Sequence, residues 1–154
     1  THYPITSVSD VKPPPLLSLL SEQSGFFYFQ RLIFGGETMN LYDLEHKVIR
    51  VRFEDPRIHF AINCASMSCP KLMNEAYTAG KINEQLDAAA NEFINSNKND
   101  ISAASPKVSS IFDWYKKDFM TPTVVDYINK YSKTKINAGT TLTYNDYDWS
   151  LNKQ

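Results

Sequence analysis

Residues 82–94 read INEQLDAAANEFI, and this stretch is the strongest indicator of the fold. Its apolar residues recur at the three- and four-residue spacing of one helix face: Ile82, Leu86, Ala89, Ala90 and Phe93. The polar run 95–100 follows directly and ends the pattern. We therefore expect an amphipathic helix from Ile82 to about Ile94, with its apolar face in the core.

Three further helices are predicted where a capping residue or a proline precedes helically spaced apolar residues. They run from Leu41 to about Arg50 after the cap Asn40, over residues 111–115 after Ser110, and from Thr121-Pro122 to about Tyr131.

The remaining apolar segments favour strands. Phe26–Phe34 is aromatic, Gly35-Gly36 can form a tight turn, and Thr38–Leu41 can return, which predicts a hairpin. Arg57–Asn63 alternates, with Ile58, Phe60 and Ile62 on one face and His59 on the other, which predicts a buried strand. Aromatic residues after Lys135 predict one or two closing strands.

These elements do not follow a steady strand–helix alternation, so we expect an α+β fold: a mostly antiparallel sheet packed with three to five helices. The 154 residues, 42% of them hydrophobic, suffice for one core. Residues 1–15 include Pro13-Pro14-Pro15 and are predicted to form an extended, proline-rich leading segment. Residues 16–154 are predicted to form a single α+β domain.

Charge and hydropathy exclude two classes of partner. The formal net charge of -1 gives no general electrostatic attraction to nucleic acid. No apolar run approaches the ~18 residues of a membrane-spanning helix. No phosphate-binding loop or other cofactor motif is present, so no cofactor is predicted.

Four of the five His and Cys residues lie between His46 and Cys69, so this region is the candidate for chemistry. Cys69 precedes Pro70, which can open a short helix whose amino end would favour a thiolate. His59 can serve as its base, as a cysteine nucleophile requires. Asn63 or Glu45 is the candidate to orient the imidazole, and backbone amides of residues 68–71 are the candidate oxyanion site.

Cys64 has several interpretations. On an uninterrupted strand it lies opposite His59 and is a buried, inert thiol. A disulfide to Cys69 is sterically allowed. Zinc binding is the other chemical interpretation, with His59 and both cysteines as ligands and His46 or Glu45 as the fourth. The C-x4-C spacing is at the wide end of known zinc motifs. Glu45 and His46 diverge by about 100° on a helix, and His46 is the preferred contributor.

The chain resembles the domain-of-unknown-function family 547. The segments that carry this resemblance are Phe34–Gly36, Leu41–Arg50, Asp55–Ser66, Ser68–Pro70, Glu75–Thr78 and Tyr147–Asn152. The resemblance implies a periplasmic or secreted location, because the family's bacterial members look like exported or envelope proteins. It also implies a further helix upstream of His2–Ile5, and a protein partner as in the related plant domains.

The hypothesis from the sequence is a cysteine-dependent hydrolase or acyl transferase that acts on a small molecule or peptide. Its site residues are Cys69, His59, Cys64, His46, Glu45 and Asn63. The alternatives are a non-catalytic protein-interaction or envelope module with structural Cys and His residues, and a zinc-binding domain. An exposed aromatic patch and buried thiols would favour the interaction module.

Overall fold

The computed structural model describes residues 4–12 and 25–152. The chain forms two compact units. The first unit comprises Thr1–Glu54, Cys64–Met67 and Asp148–Gln154, and the second comprises Asp55–Asn63 and Ser68–Tyr147. The proline run 13–15 and the predicted boundary after residue 15 lie outside the described residues. The domain division therefore stays a prediction.

The predicted hairpin of the first unit is confirmed, with shorter strands. Strand β1 (Leu32–Phe34) pairs antiparallel with β2 (Glu37–Met39), and Ile33 lies opposite Thr38. Gly35 and Gly36 form the turn with φ of 59° and 90°. Two successive positive φ angles match the twist of a two-residue hairpin, and glycine adopts them without steric cost.

The segment before the hairpin is a helix, so the strand predicted to begin at Phe26 was wrong there. Helix α1 (Gly25–Phe29) starts with the Gly25 amide donating to the Val11 carbonyl at 2.6 Å. A Cβ atom on Gly25 would lie 2.4 Å from the Lys12 carbonyl oxygen. This close backbone approach fixes the start of a helix that aromatic β propensity alone does not predict.

The helix after Asn40 is confirmed and is three residues longer than expected. Helix α2 consists of an α-helical turn (Leu41–Asp43), a π-helical segment (Leu44–Ile49) and a last α-helical turn (Arg50–Phe53). The Asn40 side chain caps it by accepting a hydrogen bond from the Asp43 amide at 2.6 Å. Glu54 follows in the left-handed conformation, which ends the helix.

The second unit contains most of the apolar core. Its elements are α3 (Ile58–Ala61), α4 (Ile82–Ile94), β3 (Lys107–Val108), α5 (Ile111–Trp114), α6 (Val124–Tyr131) and β4 (Thr143–Tyr144). Helix α4 has the predicted bounds. Its buried residues Ala89, Ala90, Phe93 and Ile94 belong to one core cluster with the fully buried rings of Phe60, Phe112 and Phe119.

The strand predicted over Arg57–Asn63 was wrong, because the segment contains helix α3. Asp55 accepts a hydrogen bond from the Arg57 amide at 2.9 Å, and Pro56 stands at the start of the turn. An Asp cap followed by proline is a helix-start signal, and here it overrides the alternating pattern. The expectation that Cys64 lies on the face opposite His59 depended on this strand, so it loses its basis.

Two other predicted elements differ. The short helix predicted at Cys69-Pro70 was wrong, because residues 69–73 have no helical structure. The third predicted helix begins at Val124, after a cis Thr121–Pro122 bond, with Thr123 as its cap. The hydroxyl of Thr123 accepts a hydrogen bond from the Asp126 amide, so the cap lies two residues beyond the predicted start.

The α+β class is confirmed. The strands form two separate pairs, because β3 pairs parallel with β4 within the second unit while β1 and β2 stay in the first. In the described ranges, no helix has the length and hydropathy that a membrane span requires.

Candidate functional site

The imidazole of His59 is the most specifically held of the candidate groups. Its Nε2 lies 2.8 Å from Oδ2 of Asp118, in the turn that follows α5. The His59 side chain is 2% exposed and that of Asp118 is 26% exposed. A buried imidazole on a partly solvated carboxylate has a fixed ring orientation, and the carboxylate would stabilise the imidazolium form.

Two aromatic rings enclose this imidazole. Tyr115 stacks on it with a centroid distance of 3.9 Å and an interplanar angle of 27°. Phe119 lies at 5.3 Å, tilted by 57°. Both rings belong to the segment that carries Asp118, so one turn supplies the carboxylate and the walls around the imidazole.

Cys69 belongs to the same unit as His59 and is connected to the end of helix α3. Its Sγ lies 3.9 Å from the carbonyl oxygen of Ile62, the residue that terminates α3. The side-chain Nδ2 of Asn63 donates to the Pro70 carbonyl at 2.6 Å. Two contacts therefore connect residues 69–70 to residues 62–63. Cys69 is 3% exposed.

Cys64 belongs to the first unit and is half-buried. Its Sγ lies 3.0 Å from Oγ of Ser66, which is fully buried and forms an antiparallel bridge with Leu151. Between them Ala65 adopts a φ of 59°. Neither Cys64 nor Cys69 is in a disulfide, so both are thiols in the structure.

Glu45 and His46 also belong to the first unit and lie in the π-helical segment of α2. The His46 ring stacks on Tyr42 at 3.9 Å, and its Nδ1 lies 3.1 Å from the Tyr42 carbonyl oxygen. The Oε1 atom of Glu45 is buried and has no hydrogen-bond partner among the described residues. Burial, with the neighbouring Tyr42 and Glu45, raises the pKa of Tyr28.

The six predicted residues are thus divided between the units. His59, Asn63 and Cys69 lie in the second unit. There the side chain of Asn63 contacts Pro70, and the sulfur of Cys69 contacts Ile62. Among the described residues, no group of three or more His, Cys, Asp or Glu side chains could hold a metal ion. The zinc alternative therefore has no set of ligands in this part of the chain.

Sequence reasoning missed Asp118 and Tyr115. Asp118 is 59 residues from His59, so no local pattern connects them. The available signal was a single carboxylate within the aromatic stretch Trp114–Phe119, where an acidic side chain beside buried rings needs a partner.

A scan against protein families matches residues 12–94 to the family described as "Protein of unknown function, DUF547". The matched range includes all six predicted site residues and ends before Asp118. No significant similarity to a curated protein or to a solved structure was found. Because the family match covers more than half of the chain, this protein belongs to the DUF547 family.

Proposed function

We propose that this domain is a cysteine-dependent hydrolase or acyl transferase, with Cys69 as nucleophile and His59 as base. The observation that carries the proposal is the contact between the buried His59 imidazole and the partly exposed Asp118 carboxylate. Asp118 takes the orienting role for which Asn63 and Glu45 were the candidates. A carboxylate that holds one ring nitrogen leaves the other to exchange a proton with the nucleophile.

The position of Cys69 supports this assignment. Its sulfur lies beside Ile62, three residues after His59, and the Asn63 side chain fixes the carbonyl of the next residue, Pro70. Asn63 is accordingly a positioning residue in the proposal. The backbone amides of residues 68–71 remain the proposed oxyanion site.

The reaction follows from these roles. The thiol of Cys69 transfers its proton to Nδ1 of His59, and the thiolate attacks the carbonyl carbon of an ester, thioester or amide. The imidazolium gives this proton to the leaving group as its bond to the carbonyl carbon breaks, which leaves an acyl thioester on Cys69. Water, or an alcohol or amine acceptor, then attacks the thioester and gives a proton to His59. The carbon–sulfur bond breaks, the proton returns to the Cys69 sulfur, and the acyl group is hydrolysed or transferred. Glu45, His46 and Cys64 have no step in this scheme.

Thiol alkylation tests the proposal. The Cys64→Ser variant retains Cys69, and the rate of its reaction with iodoacetamide is measured from pH 6 to 8. We expect labelling of the native protein with an apparent pKa below the ~8.5 of an ordinary thiol. Adding His59→Gln should slow labelling at pH 7 at least about tenfold by lowering the thiolate fraction.

His46→Gln is the matched control, because it makes the same substitution at a histidine of the first unit. It should leave the Cys69 labelling rate unchanged. Hydrolysis of p-nitrophenyl acetate is the second readout and should be lost in Cys69→Ala. Labelling of Cys69 only after unfolding, or equal effects of the two histidine variants, would overturn the proposal.

An interaction module is the second candidate, and exposed apolar side chains in the first unit favour it. Ile33 is 75% exposed on the hairpin, and Val51 and Phe53 are 65% and 66% exposed on the last turn of α2. Cys69 is buried, as this alternative requires. Alkylation that occurs only after unfolding would support the interaction module in place of the enzyme.

The periplasmic or secreted location remains a proposal that rests on the family resemblance. Fractionation of the cells that produce the natural protein tests it.

A further inference from the structure

The ring of Tyr115 lies face to face with the imidazole of His59. The two ring centroids are 3.9 Å apart, and the ring planes make an angle of only 27°. At this distance and angle the imidazole contacts the face of the phenol ring and not its edge. The face of an aromatic ring carries the negative part of its quadrupole. The imidazole therefore lies against an electron-rich surface.

This contact distinguishes the two charge states of an imidazole. A cation over the face of a tyrosine is attracted by the quadrupole when it lies within about 6 Å of the ring centroid. The attraction is larger when the cation is removed from water, and the His59 side chain is 2% exposed. A neutral imidazole packs on the same ring without this charge attraction. The Tyr115 ring therefore favours the imidazolium form of His59.

The carboxylate of Asp118 favours the same charge state through a different part of the imidazole. Its Oδ2 lies 2.8 Å from Nε2, whereas Tyr115 covers a face of the ring, so both contacts exist together. The side chain of Asp118 is 26% exposed, and water weakens the attraction between an exposed carboxylate and a cation. Burial of a charged imidazole costs free energy. The carboxylate and the ring together oppose that cost.

The charged side chains that neighbour these residues in sequence are either paired or exposed. Arg57, at the start of α3, donates to the carboxylate of Asp55 at 2.6 Å. Lys116 and Lys117 follow Tyr115 directly and are exposed, so water and salt screen their charges. These groups therefore do not replace the carboxylate and the ring that contact the imidazole directly.

We propose that Tyr115 is a positioning residue whose ring stabilises the His59 imidazolium formed when Cys69 gives up its proton. This inference rests on the proposed function, because it requires that proton transfer. In the step the S–H bond of Cys69 breaks, the proton bonds to Nδ1 of His59, and a thiolate and an imidazolium result. Loss of the ring raises the free energy of this charged pair relative to the neutral thiol and imidazole. The thiolate fraction at neutral pH then falls.

Alkylation of Cys69 measures the effect in the Cys64→Ser chain, with iodoacetamide from pH 6 to 10. Tyr115→Leu removes the aromatic face and keeps an apolar side chain. We expect it to slow labelling at pH 7 about fivefold and to move the inflection of the rate profile to higher pH. The limiting rate at high pH should not fall, because the thiol ionises there without the imidazolium. Tyr115→Phe keeps the aromatic face and should restore both the rate and the inflection.

A fluorinated ring separates electrostatics from shape. Pentafluorophenylalanine incorporated at position 115 has nearly the shape of phenylalanine, but fluorine reverses the sign of the quadrupole. Labelling at pH 7 should be at least about fivefold slower than in Tyr115→Phe. This comparison also serves if Tyr115→Leu does not fold.

Tyr144→Leu is the matched control, because Tyr144 is another half-buried tyrosine that packs against the same core cluster as Tyr115. It should leave the labelling profile unchanged. An NMR titration of the His59 ring measures the imidazole without relying on the thiol. In this titration Tyr115→Leu should weaken the affinity of His59 for a proton about fivefold.

The outcomes separate this inference from the proposed function. If His59→Gln slows labelling and Tyr115→Leu does not, the role of Tyr115 is overturned and the proposed function stands. If Cys69 is labelled only after unfolding, the proposed function fails and Tyr115 has no reaction to assist, whatever the NMR titration of His59 shows. Equal slowing by Tyr115→Leu and Tyr144→Leu, or a lower limiting rate without a shifted inflection, indicates a structural effect and also overturns the inference.

Discussion

Replacing Arg57 by lysine should destabilise the second unit although the positive charge is kept. The guanidinium donates to Asp55, Asn83 and Asp87, and so joins the start of α3 to α4. Its side chain is 16% exposed, and that of Asp55 is 24% exposed. The hydrogen bonds that Arg57 donates to Asp55, opposed by burial, are the main cause of the raised pKa of Arg57. The charge is therefore permanent, and geometry decides the outcome.

The magnitude follows from the number and kind of donors. Lysine has three donors on one atom and cannot form a two-pronged contact with a carboxylate. It can retain one or two of the charge-assisted bonds of Arg57, each of which is worth about 1.5–3 kcal/mol. Partial solvation of Asp55 and the greater exposure of Asp87 reduce the loss. We expect Arg57→Lys to lower the free energy of unfolding by about 2 kcal/mol.

Urea unfolding followed by circular dichroism measures this change, and the slope with urea should stay constant. Arg52→Lys is the matched control, because Arg52 is exposed on α2, and its effect should stay below about 0.5 kcal/mol. In a double-mutant cycle with Asp55→Asn, the coupling should exceed about 1 kcal/mol. The reasoning is refuted if Arg57→Lys costs no more than Arg52→Lys.

Four further predictions concern single positions. Burial raises the pKa of Asp55, but the hydrogen bonds that Arg57 donates to its carboxylate outweigh burial. The pKa of Asp55 in the folded state therefore lies below its ordinary value. The resulting stabilisation is present above about pH 4 and is lost as the pH falls through the lower folded pKa, so Asp55→Asn should flatten the acid limb of a urea-midpoint profile. Gly25→Ala should lower the melting temperature, because the backbone clash at 2.4 Å exceeds the helix-propensity gain of up to about 1 kcal/mol. Ala65→Gly should raise the free energy of unfolding by about 0.5–1 kcal/mol, since Ala65 has a positive φ. Asp118→Ala should cost about 1–3 kcal/mol in a urea titration, because a buried imidazole loses its partner.

Local signals account for the elements that the sequence predicts well. The apolar stripe of α4, the Asn40 cap and the Gly35-Gly36 turn each depend on residues within one or two turns of each other. Such local signals do not depend on contacts with distant parts of the chain. These elements therefore appear in the structure with bounds close to those expected.

Competing local signals account for the main error. Ile58, Phe60 and Ile62 alternate as in a strand, whereas Asp55-Pro56 directs a helix start, and single-sequence periodicity does not weigh the two. Ile58, His59 and Phe60 are all buried in the helix. The segment therefore does not have the one buried and one exposed face that the alternating pattern predicts. His59 lies in the same segment. The wrong strand prediction therefore also removed the basis for placing Cys64 on the opposite face from His59.

Long-range pairing accounts for what was missed in the site. The residue types that bear on the chemistry of Cys69 and His59 were visible in the sequence, but the carboxylate that holds His59 comes from the turn after α5. Likewise, the Arg57 side chain donates to Asn83 and Asp87 of α4, which are 26 and 30 residues away. Neither pairing has a sequence signature, because tertiary packing alone brings the segments together.

The π-helical segment Leu44–Ile49 makes the phase of helix α2 sensitive to chain length. A π turn accommodates one residue more than an α turn, so deleting a single residue there would restore regular α-helical geometry. The side chains of Arg50–Phe53 would then keep their directions relative to the start of the helix. Substitution cannot make that change, because without a deletion every later residue rotates by about 100° when the π turn becomes an α turn. Homologues that differ by one residue in this helix can therefore present the same surface at its end.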